Sequence, residues 1–278
     1  MSPGPSAAPW PGAEAERRLR RALEVAPVGL FTDVDGTISA IAPTPDAAVL
    51  LPGARELLIE ATRRFALVAA VSGRSALDAR RLVGVSNLLY IGNHGMESIE
   101  PGASEPLVIP AAAPYVPAIT SALDAIERRL AGRFPGLLVE RKGPTGSVHV
   151  RQTADPDAAE RAVDDVLREV ALPAGLRLTR GKMVIEVRPP IDMDKGQALR
   201  AWIGAKKLAG ALYLGDDRTD VDAFRALRAL STAGECRGVA VAIIQDETPP
   251  ELAREADVTL AGVARVPELL RWALYSFM

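Results

Sequence analysis

The sequence predicts an α/β fold: a Rossmann-like core around a parallel sheet, interrupted by a smaller inserted α+β lid of order αββαββ. Three observations carry this. Short apolar runs alternate with amphipathic stretches over residues 28–95 and again from Asp194 onward, the rhythm of strands covered on both faces by helices. Acidic or small polar residues directly follow those runs, as at Asp33, Ser72 and Asp216. Between about Pro106 and Pro189 the order changes to a helix, two strands, a helix and two strands. A chain of 278 residues exceeds the ~100–200 of a usual domain. We therefore expect a lead-in at 1–26, a core at 27–105 and 189–278, and a lid at 106–188.

Met1 to Ala15 is rich in Pro, Ala and Gly and lacks the basic start and apolar stretch of a secretory signal. It reads as a disordered lead-in to a charged helix from Ala13 to Val25. Val28-Gly29-Leu30-Phe31 is a buried strand leading to Asp33, and Gly53–Arg64 is a helix. Ala66–Val71 is a strand ending at Ser72, Ser75–Leu82 a helix, and Leu88–Ile91 a strand ending at Gly92-Asn93-His94-Gly95. Open parallel sheets bind ligands beyond the carboxyl ends of their strands, so Asp33, Ser72 and His94 are expected on one edge.

In the lid, Pro114–Leu130 and Pro156–Val170 read as helices. Leu137–Lys142, Ser147–Arg151, Leu176–Thr179 and Lys182–Arg188 read as strands, with tight turns at Gly143-Pro144 and Arg180-Gly181. Strand alternation places Ser147, His149 and Arg151 on one face, and Glu140 with Lys142 on one side. It sets Met183, Ile185 and Val187 opposite Lys182, Glu186 and Arg188. One face is thus apolar, for the helices, and the other carries hydrogen-bonding groups. Such a face is commonly just solvated, but its mix of acids, bases and a histidine suits a polyhydroxylated ligand. After the lid, Lys195 begins a helix to Ile203, and Ala211–Leu214 is a strand. Thr219–Leu230 is a helix that Thr219 caps in a capping box with Asp222. Gly238–Ile243 and Val258-Thr259-Leu260 complete the sheet.

Apolar content of 48% with 24% charged residues describes a globular protein. A net charge of −2 and 4% aromatics give no footing for nucleic acid or an anionic membrane. No apolar stretch approaches the ~18 residues of a membrane helix. The single cysteine, Cys236, cannot form an internal disulfide, and no zinc-ligand cluster stands out. A reducing, cytoplasmic setting is expected.

The chemistry lies in Asp33-Val34-Asp35-Gly36-Thr37. Two carboxylates this close repel, and a fold keeps both only with a cation or a shared proton. Asp33 is the candidate nucleophile for a covalent aspartyl-phosphate. Asp35 would protonate the departing oxygen and later deprotonate the attacking water. Gly36 permits a sharp turn, and Thr37 offers its hydroxyl and N–H to phosphate. Hard oxygen ligands suit magnesium, with Asp33 and Asp216 binding through carboxylates and Asp35 through its backbone carbonyl. Asp217 would be a ligand or stand behind the ligands, and Asp220 would orient them. Ser72 would bond a phosphate oxygen, and Lys195 would neutralise charge on the phosphoryl group. Lys182 competes for that role but belongs to the lid. Taken singly, Asp-x-Asp-Gly and Ser-Gly-Arg are common turns, and His94 would more often be structural; their order along one chain gives them weight.

In these motifs the chain resembles haloacid-dehalogenase-type phosphatases: Asp33-Val34-Asp35-Gly36-Thr37, Ser72-Gly73-Arg74, Asp194-Lys195-Gly196 and Gly215-Asp216-Asp217 match their four motifs. Within that group it is most similar to the trehalose-6-phosphate phosphatases, through Gly92-Asn93-His94-Gly95, Glu140-Arg141-Lys142, His149-Val150-Arg151 and Val184–Pro189. The resemblance implies magnesium-dependent hydrolysis of a sugar phosphate, with Thr37, Ser72, Gly73, Arg74, Asn93, His94, Glu140, Lys142, His149, Arg151 and Glu186 around the substrate. It also implies a trehalose-phosphate synthase as a functional partner. Other expectations stay open: sucrose 6-phosphate or a glucosyl-glycerol phosphate as substrate, a phosphomutase, or a silent sugar-phosphate-binding module.

Overall fold

The computed structural model describes residues 12–42, 45–181, 183–246 and 248–276. The expected disordered lead-in as far as residue 11, and Lys182 with its place on the lid face, lie outside the described residues.

Helix α1 (Ala13–Leu23) precedes strand β1 (Val28–Asp33), followed by α2 (Ala54–Arg64), β2 (Leu67–Val71), α3 (Ala76–Val83) and β3 (Leu89–Gly92). Two short strands, β4 (Glu97–Ile99) and β5 (Leu107–Val108), come next. The lid elements are α4 (Val116–Leu130), β6 (Leu138–Arg141), β7 (Gly146–His149), α5 (Pro156–Val170), β8 (Arg177–Gly181) and β9 (Val184–Arg188). The chain then returns through α6 (Lys195–Ala205), β10 (Gly210–Gly215), α7 (Asp220–Thr232), β11 (Arg237–Ile244), α8 (Pro250–Glu255), β12 (Val258–Ala261) and α9 (Val266–Tyr275).

The larger sheet runs β12-β11-β10-β1-β2-β3-β4-β5. Its first six strands are parallel, and β4 and β5 join antiparallel. All six residues of β1 are buried, which explains why the sequence there is apolar without alternation. Leu30 faces one apolar cluster, with α1, α2 and α9, and Phe31 faces the other, with α6 and α7. Leu19 and Ala22 of α1 are fully buried, so this helix is part of the core and not of a lead-in. Leu107–Val108, expected in the lid, pairs with β4 in the large sheet. Two-residue strands carry too little pattern to be read from sequence.

The second sheet, β6-β7-β9-β8, is antiparallel throughout. Val148, Ile185 and Val187 pack with Ile119, Ile126, Val163 and Leu167 of α4 and α5 in a cluster separate from the core's two. Capping sets the helix starts: Asp155 accepts from Ala158 N at 3.0 Å, and Asp194 from Gln197 N at 2.7 Å. Met183 does not continue the apolar face. It has φ +62° in the β8–β9 turn and is 39% exposed.

Candidate active site

On either side of β1 lie β2 and β10, which belong to opposite halves of the core. This is where strand order reverses and a crevice opens beyond the carboxyl ends. Asp33 ends β1, Asp216 follows the last residue of β10, and Lys195 and Asp220 open α6 and α7. Lys195, 2% exposed, donates to Asp33 Oδ1 at 2.6 Å and to Asp220 Oδ1 at 2.7 Å. Asp220, fully buried, also accepts from Tyr213 Oη at 2.8 Å and from the Asp216 and Asp217 amides at 2.9 and 3.1 Å. These bonds tie Asp220 to the backbone of the Asp216–Asp217 loop.

Carboxylate oxygens of Asp33, Asp216 and Asp220 all lie within 4.8 Å of one another. Burial, with the neighbouring aspartates adding, pushes Asp33 well above its ordinary range against the pull of Lys195. Burial and the charges of Asp220 and Asp217 push Asp216 up to about 7. Desolvation opposes the ammonium of Lys195, but Asp220 and Asp33 outweigh it and hold the group well above its usual value. One lysine therefore faces several carboxylates, an excess of negative charge in hard oxygen donors. That donor set fits a divalent cation such as magnesium. Glycine is required beside this cluster: Gly36 has φ +78°, and a Cβ there would stand 1.9 Å from Asp216 Oδ2.

Asp217, expected as a ligand or as support behind the ligands, spends one carboxylate oxygen on the start of α7. Its Oδ1 accepts from Thr219 N and Oγ1 at 2.8 and 2.7 Å and from Asp220 N at 3.2 Å. It therefore caps α7, and the predicted capping box of Thr219 with Asp222 does not form: Thr219 is already helical, at φ −74° and ψ −19°. The Thr37 hydroxyl donates to Asp216 Oδ1 at 3.1 Å and its amide to Val34 O at 3.4 Å.

Arg74 grips Asp35 with two prongs, Nε to Oδ2 and Nη2 to Oδ1, both 2.7 Å. Ser72 Oγ accepts from Arg74 N at 3.1 Å. Gly73 makes room for His94, whose ring would lie 2.7 Å from a Cβ there. His94 adopts φ +56°, and its Nδ1 is buried without a hydrogen-bond partner among the described residues. Burial, with Lys195 and Arg188 adding, lowers its pKa to about 3, so the ring is neutral. Asn93, expected at the substrate, is hydrogen-bonded to three neighbouring residues. Its Nδ2 donates to Glu97 Oε1 and Lys142 O at 2.9 and 2.8 Å, and its Oδ1 accepts from Thr145 at 2.5 Å.

The lid residues do assemble. Glu140 Oε2 lies 3.1 Å from His149 Nε2 and 3.2 Å from Lys142 Nζ, which is 4.0 Å from Glu186 Oε1. Desolvation of Glu140 is outweighed by His149 and Lys142, which hold its pKa below the ordinary value. A cleft of ≈ 1340 Å³ between core and lid is lined by Arg74, Glu140, His149 and Arg151. Asp33, Lys195 and Asp216 are not among its lining residues; Arg74, which lines the cleft, is bonded to Asp35, two residues from Asp33. Arg151 sits beyond the end of β7 and is exposed. Sequence reasoning missed Tyr213, which looks like any core aromatic, and Glu97 and Thr145, whose contacts join distant segments.

The fold has known counterparts. A haloacid dehalogenase-like hydrolase from Bacteroides thetaiotaomicron superposes with TM-score 0.60 at 14% identity, over 87% of this chain and 98% of that one. A trehalose-6-phosphate phosphatase related protein gives TM-score 0.70 at 24% identity, over 88% and 96%. The C-terminal domain of the Candida albicans trehalose-6-phosphate phosphatase gives 0.69 at 21%, over 95% and 97%. The fold is that of the haloacid dehalogenase-like hydrolases. The family model for trehalose-phosphatase matches residues 31–258, and the chain belongs to that family. Curated relatives include trehalose-phosphate phosphatases of Mycobacterium bovis, 39% identical over 70% of this chain and 50% of theirs, and of Mycobacterium avium, 36% over 86% and 60%. The chain spans about half the length of the first of these relatives.

Proposed function

We propose that this chain hydrolyses trehalose 6-phosphate to trehalose and phosphate through an aspartyl-phosphate on Asp33. The observation that carries the reading is the Lys195–Asp33 contact of 2.6 Å at the switch point, together with the lid's acid–base–histidine array, of which Glu140 and His149 line the cleft. Lys195 fixes one oxygen of the nucleophile and leaves the other to attack phosphorus. The phosphorus–oxygen bond to the sugar breaks as Asp35 delivers a proton to the departing oxygen. Water then attacks the acyl phosphate, giving its proton to Asp35, and Asp33 is freed. Since Arg74 occupies both oxygens of Asp35, the proton transfers need that pair to loosen. Asp33 and Asp216 through carboxylates, and Asp35 through its backbone carbonyl, would hold magnesium, which when bound offsets charge on the phosphoryl oxygens.

Glu140, Lys142, His149 and Glu186 would take the sugar hydroxyls, with Arg151 at the cleft wall. A trehalose-phosphate synthase would supply the substrate. Burial pushes the Cys236 thiol up to about 11 and leaves it unreactive; a reducing cytoplasm is the setting we propose. Phosphate release measured across trehalose 6-phosphate, sucrose 6-phosphate and glucosyl-glycerol phosphate, with magnesium and with chelator, tests the proposal. Preference for trehalose 6-phosphate and loss of turnover with chelator are expected. Phosphate retained on the sugar would indicate a mutase instead.

A further inference from the structure

Asn93 belongs to the core, at the tip of β3, yet its carboxamide spans the gap to the lid. Both Nδ2 hydrogens are used, one on Glu97 Oε1 of β4 and one on the carbonyl of Lys142 after β6. Its Oδ1 accepts the hydroxyl of Thr145, just before β7. The reverse orientation of the amide would set its oxygen against a carboxylate and a carbonyl, so the neighbours decide it. Asn93, Glu97 and Thr145 are at most 5% exposed. Polar groups this buried hold one arrangement because no water replaces a lost partner.

Backbone geometry aims the carboxamide. Asn93 and His94 take successive positive φ values of 50° and 56°, an unusual pair outside glycine. The turn is held by Asn93 N on Arg74 O at 2.8 Å and His94 N on Ser72 O at 3.0 Å. On the lid side, Lys142 N bonds Thr145 O at 3.1 Å across a turn in which Gly143 has φ +73°. A Cβ on Gly143 would stand 3.4 Å from Glu97 Oε2. The lid turn is therefore seated on the Asn93–Glu97 segment, whose backbone is in turn bonded to Ser72 and Arg74.

We propose that Asn93, with Thr145 and Glu97, is a positioning clasp: it registers the Lys142–Thr145 turn against the core and so sets the Lys142 ammonium between Glu140 and Glu186. The clasp deepens the functional reading above and rests on it for the identity of the sugar. Asn93 does not touch substrate; it acts through Lys142.

Thr145→Val keeps the shape of the side chain and removes the donor, and Thr145→Ser keeps the donor. Asn93→Ala removes the whole clasp but also loses a residue tolerant of its backbone angles. The Val variant should lose about tenfold in kcat/KM on trehalose 6-phosphate, the scale of one buried hydrogen bond. Turnover of p-nitrophenyl phosphate should stay within about twofold, and Thr145→Ser should match the parent on both substrates. Amide hydrogen exchange at residues 140–146 reads the clasp without reference to any substrate, and should speed up in Thr145→Val but not in Thr145→Ser. Unchanged exchange would overturn the clasp whatever the activities show. Equal losses on the two phosphoesters would reduce it to a general structural contact. If the parent shows no preference for trehalose 6-phosphate while exchange responds as expected, the substrate reading fails and the clasp stands.

Discussion

Arg74 and Asp35 meet as a two-pronged ion pair, with both nitrogen–oxygen distances 2.7 Å, so the residue proposed to move protons is held by a residue on the cleft wall. Replacing Arg74 with Lys keeps the charge but cannot reproduce two parallel bonds from one planar group. We expect Arg74→Lys and Arg74→Ala each to lower kcat/KM by about 10–100-fold, measured by phosphate release. Full activity in the Lys variant would show that charge alone suffices.

Lys195 is the only lysine or arginine hydrogen-bonded to Asp33 and Asp220 among the described residues. Lys195→Met would leave two buried carboxylates facing one another and should cost about 3–5 kcal/mol of stability, readable by denaturant titration. Asp33→Asn should abolish turnover by more than about 10³-fold while the fold persists. An Asp33→Asn protein with near-parent activity would remove Asp33 as nucleophile.

Glu140 and Glu186 flank Lys142 on the lid. Glu140→Ala or Glu186→Ala should lower kcat/KM for the disaccharide phosphate by about 10–100-fold and leave a small aryl phosphate within about twofold. Parallel losses on both substrates would contradict a sugar-reading lid.

His94 carries a pKa lowered to about 3 from an ordinary 6.5, chiefly by burial. A depressed folded pKa means the neutral ring is favoured in the native state. Its contribution is fully present above pH 6.5 and is lost as pH falls towards 3. His94→Asn, which tolerates the positive φ, should flatten the decline of melting temperature across that window. Identical pH slopes in parent and variant would exclude His94 as a contributor to acid sensitivity.

The lid array was legible in the sequence because strands alternate strictly: once β6, β7 and β9 are recognised, Glu140, His149 and Glu186 fall on the polar side. Asp33, Lys195 and Asp216 were legible from the motifs that follow each apolar run. The contacts of Asn93 were not, because its amide could serve a ligand as readily as the backbone of a segment 49 residues away. The Thr219 cap failed for a related reason. Asp217 and Thr219 both suit a cap, and the local turn geometry chose the former.

Apolar runs and their spacing determined by themselves that this chain forms a parallel core with an inserted antiparallel lid, since burial on both faces demands such runs. Only the tertiary structure decided which acidic residues surround one point, which instead cap a helix, and where the lid rests on the core. Those outcomes depend on hydrogen bonds between segments far apart in the chain, whose direction is settled by packing and leaves no periodic trace in the order of residues.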